Sequence, residues 1–305
     1  MPIIPKMGGV PVKDKYTRRE ALELGLGAVA LGTAALGTAG AAVAAAQIPK
    51  KPVPDEGGAA PTLSGFNKYG EELETSLLLR TAPIAVKMLE KEADIPKGAF
   101  RPKKDGGYHI AQCQAFGMSR REGKTVAMLK EDHWCPTALM AYGMVPQPAS
   151  TAMFGESFER FEVGKYIGAV TAPLKSAAFM PDVVLLYANP AQIRGLLLPM
   201  MMGGGGSQVS TYLFLPSCAH CVVDPMKTGK YCVVLPDPGE YQRALTLEEE
   251  MIFAVPQAKM PTLMAGLKRG GRLYSHRDQY MSMLPDFEQP QFYKDMFKGW
   301  GLDTK

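Results

Sequence analysis

Pro181-Asp182-Val183-Val184-Leu185-Leu186-Tyr187-Ala188-Asn189-Pro190-Ala191-Gln192 and, later in the chain, Glu250-Met251-Ile252-Phe253-Ala254-Val255-Pro256-Gln257-Ala258 are two versions of one pattern. Each is a short apolar run of strand length followed by a proline at or near the first turn of a helix. A proline costs nothing there, because the first N–H groups of a helix have no intrahelical partner. The pattern predicts a strand-turn-helix unit used twice, as a pseudo-repeat whose two halves share one mixed sheet.

The flanking sequence alternates in the same way. Phe66, Tyr69, Leu73 and Leu77 recur at spacings of three and four, predicting an amphipathic helix over 66–79 that ends at Arg80-Thr81-Ala82-Pro83. Residues 84–89 read as a strand. Residues 110–121 read as a helix stopped by Gly123, and residues 125–129 as a buried strand. A further strand over 165–172 stops at Pro173, and two more, over 209–215 and 231–235, flank a cysteine-bearing loop. The fold class is therefore α+β (mixed α/β), a single compact domain with a mixed sheet.

The first sixty residues of the 305 differ from this body. Residues 1–16 are polar and basic, Thr17-Arg18-Arg19 follows, and an Ala/Gly/Leu segment runs to Ala44-Ala45-Ala46, where small residues suit a signal peptidase. This resembles a twin-arginine (Tat) export signal, with Ala21 where the pattern often has an aromatic residue and with an added Glu23. Retained, residues 24–46 would form a helix of about 34 Å at roughly 1.5 Å per residue, enough for an N-terminal anchor. The expected organisation is a leader or anchor over 1–46, a Pro/Gly/Lys-rich linker over 47–61 and the domain over 62–305. Both readings of the leader put the domain outside the cytoplasm, in the periplasm or its equivalent, touching membrane only through an uncleaved N-terminal segment.

Net charge is +4, falling to +2 beyond the leader, too little for a polybasic nucleic-acid binder. No apolar run of about 18 residues follows residue 61, which argues against a polytopic membrane protein.

All five cysteines lie in the body: Cys113 in Gln112-Cys113-Gln114, Cys135 in His133-Trp134-Cys135-Pro136, Cys218 and Cys221 in Ser217-Cys218-Ala219-His220-Cys221, and Cys232. With these segments the chain resembles the DUF169 family of uncharacterised archaeal and bacterial proteins. The resemblance rests on Leu-Arg-Thr-Ala-Pro-Ile-Ala-Val-Lys at 79–87, Cys113-Gln114, the Cys135 segment, residues 166–174, Pro181-Asp182-Val183-Val184, Ser217-Cys218-Ala219 and residues 249–256. It implies a set of separated cysteines matched by Cys113, Cys135 and Cys218. Where the family's fourth cysteine falls near a Pro-Gly turn, this chain has Leu235-Pro236-Asp237-Pro238-Gly239, leaving Asp237, Cys221, Cys232 or an exogenous group to complete a ligand set.

Thiolates are the ligands of iron-sulfur sites, and ligands from separated segments converge when each sits at an element's end. His133 and His220 beside cysteines, and the C-x-x-C at 218–221, also suit zinc. Haem or another tetrapyrrole is a third candidate, although Val222 after Cys221 excludes covalent C-x-x-C-H attachment. Two disulfides with one thiol left over, or five buried thiols, are the plain alternatives.

Other constellations are thinner. Gly203-Gly204-Gly205-Gly206 lacks the Lys and Ser/Thr of a phosphate loop. Glu131-Asp132 and Glu248-Glu249-Glu250 read as solvated acidic runs, and Arg80, Lys87 and Arg101-Pro102-Lys103-Lys104 as a solvated basic surface. Met200-Met201-Met202 reads as core filling. The expectation is an exported protein holding an iron-sulfur cluster or another thiolate-bound metal, acting in redox transfer or sensing with a partner protein. Its alternative is a non-catalytic binder of a small anion or tetrapyrrole with structural cysteines.

Overall fold

Because the apolar runs carry almost no polar residues on either face, their strands must be covered on both sides, and they are. The computed structural model describes residues 61–149, 158–200, 209–212, 216–270 and 291–302. The leader, most of the linker, Met201, Met202 and the glycine run lie outside these. The elements, in chain order, are α1 (Leu63–Leu77), β1 (Ile84–Leu89), α2 (Pro102–Gly106), α3 (Gln112–Glu122), β2 (Val126–Leu129), α4 (Pro136–Ala141) and β3 (Gly168–Pro173). There follow β4 (Val183–Ala188), α5 (Pro190–Met200), β5 (Val209–Tyr212), α6 (Ser217–Thr228), β6 (Tyr231–Val234), α7 (Pro238–Arg243), β7 (Met251–Pro256), α8 (Met260–Gly270) and α9 (Gln291–Gly299). The described residues belong to one compact unit, Pro52–Lys305, and none of their helices is long and apolar enough to cross a membrane.

Seven strands form one mixed sheet in the order β2-β3-β1-β4-β7-β6-β5. All neighbours are antiparallel except β5 and β6. That parallel pair needs a crossover, and the crossover is α6. The segment expected to be a cysteine-bearing loop is therefore a helix, closed by the left-handed Gly229.

The two strand-turn-helix units are neighbours at the centre of the sheet. β4 and β7 pair from Val183↔Pro256 to Ala188↔Met251. Ile193, Leu196 and Met200 of α5 and Met260, Leu263 and Met264 of α8 join Phe66, Leu73 and Leu77 of α1 on one face of the sheet. On the opposite face lie Phe116 of α3, Ala138 and Met140 of α4, and Val222 and Val223 of α6. Each large side chain so covered contributes about 1.5–3 kcal/mol of burial free energy.

One boundary differs from expectation. α1 stops well before Pro83 because Leu78 adopts a left-handed conformation, φ 51°, its N–H donating to Glu74 O. This is unfavourable for a residue with a Cβ, by roughly 1–2 kcal/mol. A tertiary tie offsets it, as Gln192 Nε2 donates to both Leu77 O and Leu78 O.

The contact between α5 and α8 depends on a missing side chain. A Cβ on Gly266 would stand 2.3 Å from Pro199 O. Gly266→Ala is therefore expected to destabilise the protein by about 1–3 kcal/mol through overpacking. The urea midpoint checks this, and an unchanged midpoint would mean that the helices do not approach so closely.

Candidate functional site

Four helices of the second face start at one cavity. Cys113 is the second residue of α3, Cys135 caps α4, Cys218 is the second residue of α6 and Asp237 caps α7. The reasons are local: Gln114 reaches back to the Ala111 N–H to start α3, Pro136 follows Cys135 at the first position of α4, and Asp237-Pro238 starts α7. Cys113, Cys135, Cys218 and Asp237 line a cavity of about 150 Å³, with Gln112, Thr137, Gly239 and Arg243 among its other walls. The three cysteines singled out by context are thus brought together, along with the residue at the expected fourth position.

Asp237 is already engaged by the backbone. Its Oδ1 accepts from Gly239 N at 2.7 Å and Glu240 N at 3.1 Å, and its Oδ2 accepts from Ser217 N at 3.0 Å. It caps α7 and ties the start of α6 to it. Around it, the Cys113 Sγ donates to Gly239 O at 3.5 Å, and the buried Tyr142 hydroxyl donates to Cys218 O at 3.1 Å.

Burial raises the Cys113 thiol above its ordinary pKa, reinforced by Glu240 and Asp237 and opposed by Arg243. Burial likewise raises Cys218, with Asp237 and Cys135 adding to it. Both remain thiols at neutral pH unless a cation displaces their protons. All five cysteines are free, so the disulfide alternative has no counterpart here.

Cys221 and Cys232 are not among the residues lining the cavity. Cys221 lies one turn deeper in α6, fully buried among Val222, Val223 and Ile252. Cys232 is fully buried on β6 and its thiol is pushed up to about 12, chiefly by burial. The histidines do not line the cavity either. His220 Nδ1 bonds Asp224 Oδ2 at 2.7 Å inside α6. His133 is buried and held neutral, its pKa lowered to about 4 by burial. Among the described residues no three His, Cys, Asp or Glu side chains gather closely enough to hold a single metal ion.

Several groups that sequence reading missed surround the cavity. Gln112 is 1% exposed, and neither its amide nitrogen nor its oxygen has a partner. Arg243 stacks on the Trp134 ring at 4.4 Å, and Trp134 is 59% exposed beside Cys135. Behind the cavity lies a buried network. Arg120 pairs with Glu250 at 3.2 Å, donates to Thr246 Oγ1 and stacks over Tyr187 at 3.9 Å. Tyr187 and Thr246 both donate to Glu240 Oε2, at 2.9 and 3.1 Å.

The charge runs need correcting at Asp132, Glu250 and Arg101, whereas Glu131, Arg80 and Glu249 are solvated as expected. Asp132 is fully buried and accepts from Arg101 Nε, Lys103 N and Leu129 N, while Glu250 is buried against Arg120. Arg101 is paired to Asp132 and Glu131, and Arg80 to Glu249. A second cavity, of about 260 Å³, sits at the β4–α5 turn and is lined by Arg80, Tyr187, Asn189, Gln192, Glu249, Glu250 and Leu78. Its amides are spent on capping α5 and holding Leu78.

The family described as DUF169, uncharacterised ArCR, matches residues 72–266, a stretch that includes every wall of the cysteine cavity. No curated protein and no solved structure matches the chain.

Glu240 is fully buried, and burial pushes its carboxyl up to about 8, with Asp237 also raising it and Tyr187, Arg120 and Thr246 opposing. The folded state keeps a proton that the unfolded chain releases near the ordinary value of about 4.3. This stabilisation is fully present below that value and is lost as pH rises through about 8. Urea midpoints measured from about pH 5 to 9 should therefore fall with pH, and Glu240→Gln should flatten that part of the curve. An identical slope in the variant would contradict the assignment.

Proposed function

The chain belongs to the DUF169 family, and on that premise we propose that the cavity holds an iron-sulfur cluster on Cys113, Cys135 and Cys218, in an exported protein that acts in redox transfer or sensing. The carrying observation is that three cysteines, each from a different segment, line one cavity, each at the first turn or cap of a helix. Thiolates at helix starts are favoured by unpaired N–H groups and the positive end of the helix dipole, an argument that applies with most force to the longer α3 and α6.

Thiol donors from three different segments are the kind of ligand set a cluster takes. Zinc needs its ligands gathered on one point, which the described residues do not offer. A cluster would be held by Cys113, Cys135 and Cys218, which reach the cavity from separate segments. When bound, such a cluster supplies reversible electron transfer. The chain's part would be to hold the helix starts in place through Asp237 and to give up the thiol protons on loading. Because those thiols are raised by burial, loading releases protons and is favoured by higher pH.

Export after folding, as the twin-arginine-like leader implies, protects such thiols from oxidation before the site is assembled. A partner protein that accepts or donates the electron belongs to the same reading.

Anaerobic purification followed by iron and acid-labile sulfide analysis tests the proposal. The protein should contain both. Cys113→Ser, Cys135→Ser and Cys218→Ser should each lose most of the iron, while Cys221→Ala and Cys232→Ala should keep it. A well-folded protein without iron or sulfide, or one indifferent to the first three substitutions, would overturn the reading.

A further inference from the structure

The sides of α9 differ sharply, and none of its residues is buried. Phe292, Met296 and Trp300 recur every four residues, with Tyr293 and Phe297 beside them. At about 100° per residue these side chains cover an arc of about 140°, one continuous apolar face. Rings pair along it, Phe292 with Tyr293 at 5.5 Å and Phe297 with Trp300 at 5.8 Å between centroids. Gln291, Lys294, Asp295 and Lys298 take the remaining sides.

Local bonds close the helix. Gly301, at φ 70°, donates its N–H to Lys298 O, and Leu302 N donates to Phe297 O at 2.9 Å, the two bonds of a Schellman ending. That ending brings Leu302 back to the turn that holds Phe297. Such bonds do not suffice by themselves, since isolated helices shorter than about 12–15 residues are marginal in water. An amphipathic helix gains its stability by covering its apolar face. Here Trp300 is 62% exposed, and Phe292, Tyr293 and Leu302 are exposed with it. The surface that covers this face has to come from elsewhere.

Size and chemistry select that surface. A nine-residue helix is about 14 Å long and about 10 Å across, a face of roughly a few hundred Å². Each partner of a stable protein interface buries about 800 Å², so α9 is too small to hold a protein by itself. The face is built of Phe, Tyr, Met, Trp and Leu, without Val or Ile, and two lysines stand one turn apart on the polar sides. Tyr and Trp rings settle at the headgroup level of a bilayer, and a lysine lays its stem along apolar surface while its ammonium reaches a phosphate.

We propose that α9 is an interfacial membrane-binding helix. It lies along the surface of a phospholipid bilayer with Phe292, Met296, Phe297 and Trp300 at the acyl boundary and Lys294 and Lys298 at the headgroup phosphates. It is too short to span. The contact is separate from any made by the N-terminal leader and does not depend on the metal site; it would hold the domain at the bilayer whether or not the leader is retained.

The chain has two tryptophans, so Trp134→Phe leaves Trp300 as a reporter on α9 itself, whatever the leader does. The full-length Trp134→Phe protein is titrated with vesicles of phosphatidylcholine and phosphatidylglycerol in equal parts, with and without brominated acyl chains. Trp300 emission should shift to the blue, saturably with lipid, and be quenched by the bromine. Phe292→Ser combined with Phe297→Ser should weaken partitioning by about tenfold or more, and Lys294→Gln combined with Lys298→Gln by about several-fold. Neither pair should move the urea midpoint measured without lipid, because no residue of α9 is buried. Emission that lipid does not move, or partitioning that the Phe pair leaves intact, overturns the proposal. So does a midpoint lowered by the Phe pair, which would place the face against the body, or a blue shift without lipid that disappears on dilution, which would give the face to a second copy of the chain.

Discussion

A single carboxylate sets the geometry on which the cavity depends. Helix starts expose N–H groups that must find acceptors, and Asp237 accepts from the starts of two helices at once, through Ser217 N on one side and Gly239 N and Glu240 N on the other. The positions of Cys218, Gly239 and Arg243 follow from that tie, because each lies within two turns of one of the capped ends. Gly239 in turn accepts from Cys113, which brings α3 to the same point. The sheet supplies the platform: both faces of β4 and β7 are buried, so helices must cover each side, and those of one side begin together at the cavity.

Depth separates the cysteines into two kinds. Cys113, Cys135 and Cys218 sit at helix starts and line the cavity, whereas Cys221 and Cys232 are packed among valines and an isoleucine and behave as small apolar residues. Behind the cavity lies a buried polar network: Arg120 is matched by Glu250, and the Tyr187 and Thr246 hydroxyls donate to one oxygen of Glu240, while its other oxygen has no partner. Cys113 itself packs against Ala111, Ala244 and Cys135. On its outer side stand Arg243 and the exposed Trp134.

What could be read from sequence followed local rules. The strand-turn-helix units at 181–192 and 250–258 were legible because strand-length apolar runs and first-turn prolines are short-range signals, and their meeting as paired strands with packed helices fits two halves of one sheet. Cys113, Cys135 and Cys218 were legible through the contexts they share with the DUF169 family. Asp237 was legible as the residue in the fourth position, although its engagement as a cap was not, since that depends on the approach of α6. Gln112, Arg243, Arg120 and Glu240 escaped notice because each lies in an ordinary helical sequence and gains its meaning only from what packs against it. The Asp-Pro start of α7, with Glu240 at its third position, was the one local signal that pointed there. The cysteine-bearing segment reads as a loop in sequence because its helix is needed only once β5 and β6 are known to be parallel.

X-ray absorption at the iron edge of the anaerobically isolated full-length protein addresses the account most directly, since it reports which atoms surround the metal. The account predicts a shell dominated by sulfur, a short iron–iron vector and a minor oxygen or nitrogen contribution from the corner that no cysteine covers. Iron bound only by oxygen and nitrogen, or sulfur ligation without any iron–iron vector, would contradict it.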